Sequence, residues 1–201
     1  MRQIPRVVFL PGAAGAAGFW RPVGRTLPAA WEKTYLSWPG LGDQAHDPTV
    51  AGFDDLVDRV LDALDRPTDL VAQSIGGVIA VRVAARAPDL VRRLVLVATS
   101  AGVDMTRLGA EDWREDYRRS FPQAAGWIAD PQPDQTDQLR AIRSPTLLLW
   151  GDADPLSPVA VGEHLAELIP RSTLVVIGGG THDLARESPG PVGRWIAGHL
   201  G

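Results

Sequence analysis

The chain has 201 residues, of which 45% are hydrophobic and 22% charged, with a formal net charge of −4. That is enough chain for one domain with a sizeable core, and too mild a charge to draw a nucleic-acid partner electrostatically. No cysteine is present, which excludes disulfides, thiolate zinc sites and cysteine nucleophiles.

In chain order, Arg6-Val-Val-Phe-Leu10 reads as a buried strand. Pro11-Gly-Ala-Ala-Gly-Ala-Ala-Gly18 follows as a loop of small residues. It has neither the Gly-Lys-Ser/Thr ending of a P-loop nor GxGxxG spacing. Small residues after a central strand let backbone N–H groups point uncovered into a site, and that use fits better. A short helix runs from Phe19-Trp20 to Leu27, its aromatics in the core. Lys33-Thr-Tyr-Leu-Ser37 is the second strand, followed by the turn-rich Trp38-Pro-Gly-Leu-Gly-Asp43. His46 beyond it reads as a solvated loop residue. From Phe53 to Leu64 apolar residues recur at helical spacing, with Asp54, Asp55, Asp58 and Asp62 on a solvated face rather than in a metal site.

The next stretch organises the chain. Leu70-Val-Ala72 is a buried strand that runs through Gln73-Ser74-Ile75 and Gly76-Gly77 into an apolar helix over Val78–Arg86. Ser74 thus sits on a sharp strand-to-helix turn, with small residues two before and two after it, Ala72 and Gly76. This is the nucleophile-elbow pattern, with Ala where Gly is usual. The N–H of the residue after the serine lies at a helix N-terminus, where developing negative charge is favoured.

Arg93–Ala98 is the fourth strand. Residues 103–143 then break the rhythm, with one clear helix that puts Trp113, Tyr117 and Phe121 on a shared face, followed by Trp127. We read this segment as a small helical cap inserted in a single domain spanning 1–201. Its aromatics, with Trp38, are pocket candidates, and Asp130–Asp134 is its return loop. Pro145–Trp150 is the fifth strand, leading into Gly151-Asp-Ala-Asp-Pro155. A helix over Val159–Ile169, a sixth strand over Ser172–Ile177, the loop Gly178-Gly-Gly-Thr-His182 and a helix over Pro191–Leu200 complete the chain. Strands alternating with helices imply a mainly parallel six-stranded sheet between two helical layers, an α/β/α sandwich. No stretch reaches the roughly 20 apolar residues of a membrane span, and the apolar run in Met1–Leu10 is too short for a signal peptide; a cytoplasmic protein without membrane association is expected.

Ser74, the Asp152/Asp154 pair and His182 all follow C-terminal ends of parallel strands, and those ends share one sheet edge. A serine hydroxyl needs an adjacent base, an imidazole can serve as one near neutrality, and a carboxylate can fix its tautomer. The order Ser, Asp, His along the chain is the α/β-hydrolase order.

With these residues in view, the sequence resembles the α/β-hydrolase fold superfamily over nearly its whole length. The resemblance rests on Phe9-Leu-Pro-Gly12, Trp38-Pro-Gly-Leu-Gly42, Ala72-Gln-Ser-Ile-Gly-Gly77, Leu147-Leu-Leu-Trp-Gly-Asp-Ala-Asp-Pro155 and Gly179-Gly-Thr-His182. It implies Asp154 rather than Asp152 as the triad acid, and an oxyanion hole built from the N–H groups of Ala13 and Ile75. It also implies a minimal version with strand order 2-1-3-4-5-6. Pro11-Gly12 stands where the family commonly has His-Gly, Trp38 stands where an acidic residue is common, nothing precedes Arg6 to supply two opening strands, and the cap is short. Serine at 74 separates the chain from relatives with an aspartate nucleophile. The expected function is cofactor-independent serine hydrolysis of a small ester, thioester or related acyl compound. The rivals are a lyase or carbon–carbon bond hydrolase using the same triad as base, and a non-catalytic ligand-binding protein. A small-molecule substrate is the expected partner, and the sequence does not specify oligomeric state.

Overall fold

The computed structural model describes residues 4–201, so Met1–Gln3 of the N-terminal stretch lie outside the described residues. Strand β1 (Arg6–Leu10) leads through a 3₁₀ turn at Ala17–Trp20 into α1 (Arg21–Thr26). Then come β2 (Glu32–Tyr35), α2 (Phe53–Asp62), β3 (Thr68–Gln73), α3 (Ile75–Arg86) and β4 (Val91–Val97). The interval before the next strand holds α4 (Arg114–Ser120) and α5 (Thr136–Arg140), with 3₁₀ turns at Thr106–Leu108 and Gly126–Ala129. The chain closes with β5 (Thr146–Gly151), α6 (Val159–Leu168), β6 (Ser172–Ile177), α7 (Leu184–Glu187) and α8 (Pro189–Leu200).

The six strands form one sheet in the order β2-β1-β3-β4-β5-β6, and every pairing is parallel, so the expected order holds and "mainly parallel" becomes wholly parallel. The strands alternate their side chains between two cores. Val7, Phe9, Val71, Val95, Val97, Leu147 and Leu149 face α1, α7 and α8, where they meet Val23, Leu184, Val192 and Ile196. Val8, Leu10, Leu70, Ala72, Leu94, Leu96 and Leu148 face α2, α3, α5 and α6, meeting Leu56, Val60, Ile79, Leu139, Val161 and Leu165. Both faces are thus covered, which is why the central strands read as continuous apolar runs. No helix among the described residues is long and apolar enough to cross a membrane.

Three local differences from the sequence reading have physical causes. Helix α3 starts at Ile75, so Gly76 and Gly77 form its first turn rather than preceding it. A Cβ on Gly76 would lie 2.6 Å from the Pro11 carbonyl oxygen and 2.7 Å from that of Leu10, so glycine is needed for closeness and not as a breaker. Helix α5, within the segment read as cap, packs on α3 and α6, and its Leu139 belongs to the core. Helix α7 was not anticipated, because four residues carry too little periodicity to register.

Asp69, at the base of β3, is fully buried with one carboxylate oxygen unpartnered. Burial pushes its carboxyl up to about 6, although Arg92 donates to the other oxygen. The folded chain therefore binds this proton more tightly than the unfolded chain, and this residue's contribution to stability falls as pH rises from about 4 to above 6. Asp69→Asn removes that fall. In urea titrations, the variant's midpoint should gain on the wild type between about pH 4 and pH 7, and an unchanged difference would refute the assignment.

Candidate active site

The site lies at the C-terminal edge of the sheet, where β1 and β3 separate their crossovers and the strand order reverses. Ser74 has φ 54° and ψ −125°, a region that L-residues rarely occupy. Its neighbours hold it there. The Ser74 N–H donates to the Val97 carbonyl at 3.1 Å. The Ser74 carbonyl accepts from the Gly77 N–H at 2.9 Å and from the Thr99 hydroxyl at 2.6 Å. The strained turn is thus fastened to the end of β4, and Ile75, opening α3, has no carbonyl one turn earlier to occupy its N–H.

The loop after β1 is fastened just as closely. Four successive carbonyls each accept a hydrogen bond: Leu10 from Trp20 Nε1 at 2.9 Å, Pro11 from Trp38 Nε1 at 2.8 Å, Gly12 from the Gly15 N–H at 3.0 Å, and Ala13 from the Tyr117 hydroxyl at 2.9 Å. In a trans peptide the carbonyl and the following N–H point opposite ways, so holding the Gly12 oxygen also aims the Ala13 N–H.

Asp154 follows β5 and is buried, its side chain fully so. Its Oδ1 accepts the N–H groups of Leu156 and Ser157 at 2.8 and 3.1 Å, and its Oδ2 lies 2.8 Å from His182 Nδ1. That pairing puts the proton on Nδ1 and leaves Nε2 as the acceptor in the neutral ring. Asp152 does different work: its carboxylate accepts the Gly179 N–H at 2.6 Å, while the Ala153 N–H bonds the Gly180 carbonyl at 3.0 Å, joining the loops after β5 and β6. The Gln73 side-chain amide donates to the His182 carbonyl at 3.3 Å.

Ser74 and His182 line one cavity of about 910 Å³, together with Ala13, Ile75, Trp113, Tyr117 and Phe121. Asp154 stands behind the imidazole. Two pocket candidates lie elsewhere. Trp38 is fully buried in the core beside Leu41, because its indole N–H is committed to the Pro11 carbonyl. Trp127 packs edge-on against Phe53 at 5.6 Å and lines a neighbouring recess of about 350 Å³ with Arg82. His46 is exposed, with Nε2 2.8 Å from the Gln123 carbonyl, and does not line the cavity. The sequence reading missed Thr99 and Gln73; the available signal was a polar residue flanking the elbow at a strand exit. It also missed the buried Gln135, whose amide donates to the Ala101 and Val78 carbonyls at 2.7 and 3.3 Å and accepts from Arg82 at 2.8 Å. No group of three or more His, Cys, Asp and Glu among the described residues could hold a metal ion. A hydroxyl on a strained turn, an imidazole with its far nitrogen free, and backbone donors on two fixed loops make an arrangement suited to acyl transfer.

Comparison with known proteins gives a family model described as the alpha/beta hydrolase fold, which matches residues 5–129 and 123–189. A pimeloyl acyl-carrier-protein methyl ester esterase of Neisseria meningitidis is 30% identical over 78% of this chain and 77% of its own. A hydrolase from Pseudomonas aeruginosa superposes with a TM-score of 0.80 at 22% identity, covering 100% of this chain and 91% of its own. Naproxen esterase from Bacillus subtilis superposes with a TM-score of 0.76 at 18% identity, covering 100% and 85%. The two structural likenesses speak for the fold alone.

The Trp38 indole allows a direct check on how the loop is held. Trp38→Phe strands the buried Pro11 carbonyl and should cost about 1–3 kcal/mol of stability in urea titration. A variant as stable as the wild type would mean that this bond does not anchor the loop.

Proposed function

The chain belongs to the α/β-hydrolase fold family, and from that premise we propose that it is a serine hydrolase of a small ester or related acyl compound. The observation that carries this reading is the 2.8 Å bond between Asp154 and His182 Nδ1, with His182 and Ser74 lining the same cavity. The name of the Neisseria relative, an ester hydrolase, supports it.

In this reading His182 Nε2 takes the proton of Ser74 as its Oγ attacks the acyl carbonyl. Asp154 keeps Nδ1 protonated and steadies the imidazolium. The N–H groups of Ala13 and Ile75 receive the oxyanion, where fixed donors act without reorganising. His182 returns the proton to the leaving alcohol, and water, deprotonated by the same nitrogen, releases the acid and restores Ser74. Residues 103–134 act as the cap, with Val103, Met105, Trp113, Phe121 and Ile128 giving the cavity an apolar wall for the acyl chain. Its rim carries Asp104, Glu111, Asp112, Asp116, Asp130, Asp134 and Asp183 against Arg114. Among the described residues only Asp112 and Asp116 of that set form a close ion pair with an arginine, while Arg107 acts on Asp104 from farther off. Such a rim favours uncharged substrates over anionic ones.

A fluorophosphonate probe read by intact mass tests the assignment. Wild type should take up one adduct and Ser74→Ala none, and turnover of p-nitrophenyl esters by the variant should fall by about 10⁴-fold or more, since the three residues act as a unit. An unlabelled but folded wild type would turn attention to base catalysis without an acyl-enzyme, or to binding alone.

A further inference from the structure

Of the four donors that hold the loop after β1, Trp20, Trp38 and Gly15 all lie within the first two crossovers of the sheet. The fourth, the Tyr117 hydroxyl, comes from α4, in the segment between β4 and β5. We propose that Tyr117 is a positioning residue that, by holding the peptide after Ala13 while Gly15 holds the peptide before it, keeps Ala13 and its N–H in place, so that α4 completes the oxyanion site; this rests on the serine-hydrolase reading above.

The argument is geometric. Ala13 is flanked by two peptide planes. Gly15 fixes the plane before it through the Gly12 carbonyl, and Tyr117 fixes the plane after it through the Ala13 carbonyl. With both planes held, φ and ψ of Ala13 are determined and its N–H keeps one direction. Without the Tyr117 hydroxyl the second plane loses its anchor, and Ala13 is held only from the other side, by the Gly15 turn bond. The hydroxyl itself has no freedom to drift. It accepts the Gly42 N–H at 2.8 Å while donating to Ala13, and so ties the loops after β1 and β2 together. Its ring is buried between Trp113, at 5.5 Å, and Phe121, at 5.1 Å. Burial raises the phenol above its ordinary value, which keeps the donating proton in place near neutrality. The same ring lines the cavity. A substrate seated under α4 therefore touches a ring whose hydroxyl holds Ala13, the residue whose N–H must receive its charge.

Tyr117→Phe keeps the ring and deletes the donor. With short p-nitrophenyl esters, kcat should fall about 10- to 100-fold, somewhat less than the loss of an oxyanion donor itself, while KM stays within about 2-fold. An alkylboronic acid, whose tetrahedral adduct with Ser74 sets an oxygen against the Ala13 and Ile75 N–H groups, should lose affinity by the same factor. Unchanged kcat and boronate affinity in a folded variant would overturn the inference alone, because the fluorophosphonate would still label Ser74. A wild type that neither labels nor turns over would overturn the reading of the site and this inference with it. Should Tyr117→Phe fail to fold, a ring-fluorinated tyrosine at 117 carries the test. Fluorination draws its phenol toward neutrality while burial and the nearby Asp43 hold it up, so kcat relative to wild type must drop as pH rises through that ionisation. A constant ratio would overturn the proposal.

Discussion

The close approach of α3 to the end of β1 is the constraint on which the rest of the site depends. The Gly76 backbone lies so near the Leu10 and Pro11 carbonyls that no side chain fits between them. The Ser74 turn and the loop after β1 therefore form a single wall. Ser74 can hold its unusual backbone angles because its N–H and carbonyl are both bonded to the exit of β4. The conformational cost of such a turn, about 1–3 kcal/mol, is met by contacts that no alternative conformation of the turn would keep.

Around that wall the buried polar groups form one connected set. Asp154 is fixed by the N–H groups of Leu156 and Ser157. The Ser157 hydroxyl accepts from Trp150 Nε1 at 3.2 Å and approaches the Thr99 carbonyl at 3.5 Å, and the Thr99 hydroxyl donates to Ser74. Acid and serine are thus linked through Thr99, just past the end of β4, as well as across the cavity. Networks of this kind hold geometry well because a buried polar group that loses its partner is costly. The loop after β1 follows the same rule, with two indoles and a phenol spent on its carbonyls.

Much of this was legible in the sequence, and for identifiable reasons. The apolar runs of β1, β3, β4 and β5 marked the central strands because both of their faces are buried. Ser74, the Asp152/Asp154 pair and His182 stood out because small residues and turn formers isolate each at a strand exit, and the family resemblance picked Asp154 from the pair. The aromatics were harder. Trp38, Trp113, Tyr117, Phe121 and Trp127 look alike as large apolar residues, yet two of them act through one polar atom. The indole N–H of Trp38 and the hydroxyl of Tyr117 have partners 27 and 104 positions away in the chain. No local spacing encodes such a partner. The same holds for Gln73, Thr99 and Gln135, whose roles depend on which carbonyls the fold brings to them. The Gly76-Gly77 pair misplaced the start of α3 because glycine commonly signals a break, whereas here it answers a steric demand from another strand.

The residue paired with Asp154 hangs from the outermost strand. β6 is a sheet edge, bonded on one side to β5 and leaving Val176 exposed. Ser74, by contrast, leaves a strand bordered on both sides and buried throughout. Edge strands open at a smaller free-energy cost than central ones. The imidazole and the serine therefore sit in parts of the molecule with different local stability, joined by the Asp152–Gly179 and Gln73–His182 bonds. Local opening on warming therefore reaches the edge before the central strands, and in the serine-hydrolase reading proposed above the imidazole departs before the serine does. In that reading the temperature limit of activity lies at the margin of the sheet rather than in its core.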